Sequence, residues 1–261
     1  MAAGMDVKVV MLGTGTSHGV PMIGCDCPVC TSSDPHDRRM RPAIAVDIAG
    51  RRILVDTPPE LRLQCVAAGI RHIDAVLYTH THADHVTGLD DLRRFNWLCG
   101  GAIHCYGSAA SLATIRRMFA YVFDDDPDYP SHKPSLELHE ITAGPLELAG
   151  ARVEVLDLLH GPMPVFGFRF GNIAYCTDCN AIPAASLEKL KDLDVLILDG
   201  LRKRPHPTHF NLEQAVAMAQ RIGARRTYFT HIAHELPHAE TNAALPADMA
   251  LAHDGQIIEP V

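Results

Sequence analysis

Four metal-ligand side chains crowd into Thr79-His80-Thr81-His82-Ala83-Asp84-His85, directly after the apolar run Ile73, Ala75, Val76, Leu77 and Tyr78. The run reads as a buried strand. The imidazoles and the carboxylate therefore fall at a strand end, where packing gives no reason to gather them. On a loop, ligands at the first, third, fifth and sixth positions point in two directions. One ion accommodates that poorly; two adjacent ions accommodate it well. His80 and His82 would face one ion, Asp84 and His85 the other. Imidazole with carboxylate suits Zn, Mn or Fe rather than Ca or Mg. A histidine-rich surface turn is the reading that needs no metal.

Further candidates stand beyond other strand-like runs, where a sheet can hold a ligand rigidly. His160 follows Val153, Val155, Leu156, Leu158 and Leu159; Asp178 follows Ile173, Ala174, Tyr175 and Cys176; His231 follows Thr227-Tyr228-Phe229-Thr230. H-x-H-x-D-H after an apolar strand resembles the signature of the metallo-β-lactamase superfamily of hydrolases, and the resemblance runs from Met11 to about Gln256. It implies an α+β fold, the four-layer αββα sandwich. It also implies that His160, a bridging Asp178 and a late His231 complete a two-metal centre with His80, His82, Asp84 and His85. Two divalent ions, Zn or Mn, would then turn a shared water into hydroxide near neutral pH.

A second cluster, Cys25-Asp26-Cys27-Pro28-Val29-Cys30, sets three thiols within six residues on a loop at about 24–31. Such thiolates converge on a tetrahedral soft-ligand ion, with Zn the default; redox thiols or a disulfide are the competing reading. The cluster resembles the superfamily branch of cyclic phosphodiesterases of bacterial phosphonate use, which act on phosphoribosyl 1,2-cyclic phosphate. That resemblance implies a structural zinc with His234, three residues after His231, as the fourth ligand. Cys176 and Cys179 also form a C-x-x-C pair, but they flank Asp178 and read as small, semi-buried residues.

Expulsion of an alkoxide from phosphorus needs a proton donor. The histidine-proline segment 199–209 is the best source. The branch resemblance assigns the role to His209, about two dozen residues before the last metal histidine, with His206 as the fallback. His209 and Asp84 are the expected catalytic residues. Arg202 could hold substrate phosphate, or Arg202, Lys203 and Arg204 could form a solvated basic turn. The resemblance makes Asp56, at its strand end, a support of the metal site; His18 could lie near the metals or be structural. His36, His72, His104, His132, His139, His238 and His253 read as surface or core histidines.

Around these residues, strands are expected at 7–12, 43–48, 51–56, 73–78, 102–106, 136–141, 153–159, 165–170, 172–176, 194–198, 226–229 and 256–258. Helices are expected at 58–69, 86–97, 108–119, 183–190 and 211–222. The glycine loop 13–19 runs into Val20-Pro21 rather than a helix, which excludes a dinucleotide fingerprint. Segment 121–134, with Asp124, Asp125, Asp126 and Asp128, reads as an acidic loop or lid. Pattern alone supports only mixed α and β; no linker interrupts the 261 residues, so one domain spanning 1–261 is expected.

The expected activity is hydrolysis of a small, cyclic or linear phosphodiester. Endonucleases of tRNA 3′ ends share the metal motif, but a net charge of −8 and the acidic insertion argue against an RNA partner. Thioester or lactone hydrolysis competes with this reading, as does a non-catalytic role like that of the pyrroloquinoline-quinone biosynthesis proteins. The chain shows no signal pattern or apolar stretch of about 18 residues, so no membrane partner and a cytoplasmic location are expected. The resemblance also allows a homodimer.

Overall fold

The computed structural model describes residues 7–124, 131–148 and 150–260. Its first half builds one sheet from β1 (Val7–Gly13), β2 (Ala43–Ile48), β3 (Arg51–Val55), β4 (Ala75–Leu77), β5 (Ile103–Gly107) and β6 (Leu136–Glu140). Interspersed are the helices α1 (Leu61–Ala67), α2 (Ala83–Val86), α3 (Arg93–Cys99), α4 (Ala109–Met118) and α5 (Ala120–Phe123). The second half builds another from β7 (Gly144–Leu148), β8 (Ala151–His160), β9 (Met163–Phe170), β10 (Ile173–Cys176), β11 (Val195–Asp199), β12 (Arg226–Thr230) and β13 (Met249–Leu251). Helices α6 (Ala184–Lys189), α7 (Leu212–Ile222) and α8 (His238–Ala244) belong to this half, and β14 (Ile257–Ile258) crosses back beside β1. Among the described residues each sheet has seven strands, ordered β14-β1-β2-β3-β4-β5-β6 and β13-β12-β11-β10-β9-β8-β7.

The layers follow from where apolar side chains can go. Val9, Val46, Ile53 and Leu77 meet Val153, Phe168, Tyr175 and Ile197 between the sheets. The opposite face of the first sheet packs Leu54, Val76 and Cys105 under Leu61, Val86, Phe95 and Ile115. That of the second packs Leu196, Leu198 and Phe229 under Ala215 and Ala219 of α7. Strands covered on both faces need near-continuous apolar runs, which is why β4 and β11 read as such. The four-layer αββα arrangement is the one expected.

The helix expected at 86–97 differs. Helical backbone begins at Ala83, with His82 at its N-cap, and stops after Val86; a 3₁₀ turn, Leu89–Leu92, precedes α3. The cause lies at Gly88, whose N–H donates to Thr57 O at 2.9 Å. A Cβ there would stand 2.0 Å from Pro58 O. The chain is pressed onto the turn after β3 and cannot continue straight. Asp84 and His85 thus lie in a helical turn, not on a loop. Besides a 3₁₀ turn at Pro35–Asp37, four elements among the described residues were not expected. α5 takes up 120–123, so the start of the segment expected as a loop or lid is helical. β7 opens with Gly144-Pro145, a turn signal, yet an edge strand tolerates proline. β13 is too short for a period, and α8 lacks an apolar stripe. Residues 125–130 of the expected acidic insertion, with Asp125, Asp126 and Asp128, lie outside the described residues.

Candidate metal centres

Strand ends deliver the candidate ligands to one place. His80, His82, Asp84 and His85 follow β4; His160 closes β8; Asp178 follows β10; His231 follows β12. Two groups of donor atoms form there, each within 4.8 Å of one another: His80, His82, His160 and Asp178, and then Asp84, His85, Asp178 and His231. Asp178 belongs to both. Its Oδ2 lies 3.7 Å from His80 Nε2 and 3.3 Å from His231 Nε2, and its Oδ1 3.3 Å from His85 Nε2. Asp84 Oδ2 stands 3.6 Å from His85 Nε2 and 3.5 Å from His231 Nε2. Nitrogen and oxygen ligands about 2.1 Å from a tetrahedral ion are separated by about 3.4 Å, so these distances suit shared cations. His80 Nε2, Asp84 Oδ2, His85 Nε2 and His231 Nε2 are buried without a hydrogen-bond partner. Leaving such atoms unpaired is costly; coordination resolves it.

Burial opposes every charge in this centre. For His80 it wins, holding the imidazole well below its usual range. For His231, burial is outweighed by the Asp178 charge and the neighbouring Asp84 carboxylate, and its pKa is pushed up to about 9. Asp178 is held well below the usual carboxylate range despite burial, because the charges of His231 and His85 outweigh it. The carboxylates therefore demand positive charge. Divalent cations would meet that demand and let the imidazoles serve as neutral ligands.

The candidate ligands are oriented from behind. Asp56 Oδ2 accepts from His85 Nδ1 at 2.7 Å and from Thr79 Oγ1 at 2.8 Å, and Oδ1 accepts from Thr79 N–H at 2.9 Å. Thr79 Oγ1 also contacts His80 Nδ1 at 3.0 Å. His160 Nδ1 donates to Thr208 O at 2.8 Å. Such partners set ring orientation and tautomer. Asp56, Asp178 and His231 have φ of 67°, 51° and 60°. Left-handed backbone is uncommon for these residues and concentrates at functional sites.

His209 is buried beside the centre. Its ring stacks on His231 at 4.6 Å between centroids and meets His160 edge-on at 4.5 Å. Nδ1 is engaged by Asp199 Oδ2 at 2.6 Å, and that oxygen also accepts from Cys179 N–H at 2.9 Å. Nε2 is left as the nitrogen that can serve a substrate. His206 lies 5.0 Å from His209 between centroids, with Nδ1 accepting from Thr208 N–H. A cleft of ≈ 300 Å³ adjoins His209 and is lined by His18, Arg202, Arg204 and His206. Arg202 donates to the carbonyls of Arg204 and Pro205, and Arg204 pairs with Glu235. Sequence reasoning gave no role to Asp199, Thr79 or Thr208. Asp199 carried a legible signal, because it ends a strand as Asp56 follows one; a carbonyl such as Thr208 O carries none.

The cysteine loop meets the other end of the chain. Cys25, Cys27 and Cys30 Sγ lie 3.2, 3.3 and 3.6 Å from His234 Nδ1. About 3.5 Å is the separation of sulfur and nitrogen around a tetrahedral Zn. Amide N–H groups of Met22 and Cys30 donate to Cys30 and Cys27 Sγ. The Cys30 N–H leads the causes that lower the Cys27 pKa to about 6, whereas burial, opposed by the Met22 N–H, pushes the Cys30 thiol up to about 11. Cys176 and Cys179 are both free thiols and fully buried.

This fold and ligand constellation define a class. A β-lactamase superfamily domain matches residues 51–232, and the chain belongs to that superfamily. Within it, the chain is a member of the PhnP family. A solved structure, a new diphosphatase from that family, is 46% identical, covers 98% of this chain and 97% of its own, and superposes with a TM-score of 0.91. The chain is also 40% identical over 253 residues to an octanoyltransferase of Porphyromonas gingivalis (strain ATCC BAA-308 / W83), covering 95% of this chain but 51% of that protein. The chain thus spans about half the length of that relative. A ribonuclease Z of Mycobacterium sp. (strain KMS) is 28% identical over 255 residues, covering 86% of this chain and 84% of its own. No helix among the described residues is long and apolar enough to cross a membrane.

Proposed function

We propose that the protein is a two-metal phosphodiesterase acting on a small phosphodiester, with a cyclic phosphate as the first class to test. The observation that carries this reading is Asp178, whose carboxylate belongs to both donor groups of a buried centre. His80, His82, His160 and Asp178 would hold one divalent ion, Zn or Mn, and Asp84, His85, Asp178 and His231 the other. When bound, such a pair activates water and neutralises phosphoryl oxygens. Asp178 sets the spacing between the ligand groups. His209 donates a proton from Nε2 to the departing oxygen while Asp199 holds its ring. The cleft beside it receives the leaving group, and His206, His18 and Arg202 face it. Cys25, Cys27, Cys30 and His234 would hold a structural Zn. Because ligands come from both sheets, 1–261 would act as one domain.

The solved relative of 46% identity is a diphosphatase, which favours a second reading in which the bond broken is P–O–P. The chemistry at phosphorus is alike; the leaving group is a phosphate, which needs less help from a proton donor. The octanoyltransferase does not steer the choice, since about half of that protein lies outside the match.

Metal-depleted protein reloaded with Zn or Mn is assayed on bis(p-nitrophenyl) phosphate, a ribose cyclic phosphate and a nucleoside diphosphate diester. Metal-dependent turnover of either phosphate diester, abolished in Asp178→Ala, is the expected result. Cleavage of the diphosphate alone favours the second reading, and cleavage only of a thioester or lactone overturns both. His209→Gln should retain its metals and lose about 10²- to 10⁴-fold in kcat on the diester with the poorer leaving group. An equal loss on p-nitrophenyl and alkyl leaving groups would remove its role as proton donor.

A further inference from the structure

We propose that His104, Glu137 and His139 form an additional site for a divalent transition-metal ion, separate from the centres above. β5 and β6 run parallel, with His104 opposite Glu137 and Tyr106 opposite His139. Alternate residues of a strand share a face, so these four side chains stand together. The intervening Ile103 and Cys105 turn to the helical layer.

The donor atoms lie close. His104 Nδ1 is 2.9 Å from His139 Nε2 and 3.2 Å from Glu137 Oε2, and His139 Nε2 is 4.0 Å from the same oxygen. These sides bracket the separation of about 3.4 Å between ligands of a tetrahedral ion. The Tyr106 ring lies on the His139 imidazole, 4.7 Å between centroids and 22° from parallel, and fixes its direction. The three side chains are 45%, 57% and 39% exposed, so an ion reaches them from solvent and keeps a position for water. Two imidazoles with one carboxylate select Zn and its neighbours over Ca and Mg; the class assigned is Zn²⁺. The site is remote from the catalytic candidates. His104 pairs with Ala75 on β4, and His80 lies five residues further along the chain. β4 ends at Leu77, level with His139, and two strand spacings of about 4.8 Å each separate β4 from β6, which carries Glu137 and His139.

Zinc binding tests the site. Protein saturated with Zn²⁺ and desalted is compared with His104→Gln/His139→Gln by elemental analysis, and both are titrated with Zn²⁺ by calorimetry. The wild type should carry one more equivalent per chain than the double variant. Glu137→Gln should weaken that equivalent at least tenfold, and turnover should be the same in all three. Equal zinc content and matching isotherms in the wild type and double variant would overturn the site, as would an extra equivalent that the substitutions leave in place. Because the substituted side chains are exposed, both proteins should fold alike, and added Zn²⁺ should raise the melting temperature of the wild type further than that of the double variant, since an ion that binds only the folded chain stabilises it. If the double variant does not fold, the Glu137→Gln comparison decides alone.

Discussion

At the residue scale the candidate centre is an exchange of charge in a dry place. His85 touches Asp56 on one ring nitrogen and faces Asp84 and Asp178 on the other. Asp56 is wholly buried, and its side chain bonds to His85 and Thr79, so its effect on metal passes through those two residues. Asp56→Asn is the informative change. Asparagine tolerates the φ of 67°, so the backbone stays while the charge and one of the two acceptor oxygens that serve His85 Nδ1 and Thr79 are lost. Metal affinity at the Asp84, His85, Asp178 and His231 group should weaken about 10- to 100-fold, measured by competition with a chromophoric chelator. Unchanged affinity would mean that Asp56 acts only on folding.

At the element scale, the candidate ligands depend on how turns are locked onto neighbouring strands. Gly88 closes the short helix that carries Asp84 and His85, held against Thr57 and Pro58 beyond the end of β3. Gly88→Ala should destabilise the fold by about 1–3 kcal/mol, the usual cost of overpacking. It should also loosen both ligands; urea unfolding and metal content read the two effects, and an unmoved midpoint would refute the contact. Arg39 performs a similar task for the other half. Its guanidinium is buried and donates to Ala233 O, Leu236 O and Asp37 Oδ1. The segment between His231 and α8 is thereby fastened to the N-terminal loop that carries the cysteines.

At the scale of the whole molecule, the two sheets repeat one plan. In each, successive antiparallel pairs lead into parallel strands, β3 to β6 in one and β10 to β13 in the other. Asp56 and Asp178 follow equivalent strands, and both have positive φ. The chain returns on itself through β14, which brings His253 and His238 beside His36, with centroids 4.1 and 4.6 Å from the His36 ring. Burial, then His36, Arg39 and His253, lower the His238 pKa to about 4, while Asp34 opposes them. The folded value lies below the unfolded one of about 6.5, so the unfolded chain binds the extra proton between them. Stability from this group is full above pH about 6.5 and falls as the pH drops toward 4. Asp254 works the other way: burial raises its carboxyl to about 6, so its contribution falls as pH rises from about 4 to 6. His238→Gln removes only the first effect. Its melting temperature should fall less than that of the parent between pH 6.5 and 4.5, by the equivalent of about 1 kcal/mol after solvent screening. Parallel curves would exclude His238 as the cause.

Much of the candidate site was written locally. The H-x-H-x-D-H spacing, the C-x-C-x-x-C cluster and the apolar runs before His160, Asp178 and His231 are properties of short segments, because strand burial and ligand type are expressed within a few residues. The same locality explains why β4 and β11 were legible, whereas β7, β13 and α8 were not: their formation rests on a neighbouring edge, not on their own pattern. What the chain alone determined is the chemistry available, imidazole, carboxylate and thiol at strand ends. The resemblance already implied that Asp178 joins both donor groups and that His234 meets cysteines some two hundred residues away; only the tertiary structure decided that Asp199 holds His209 and that Gly88 breaks a helix. Those outcomes depend on the distance between segments remote in sequence, and that distance is set by the packing of two sheets face to face.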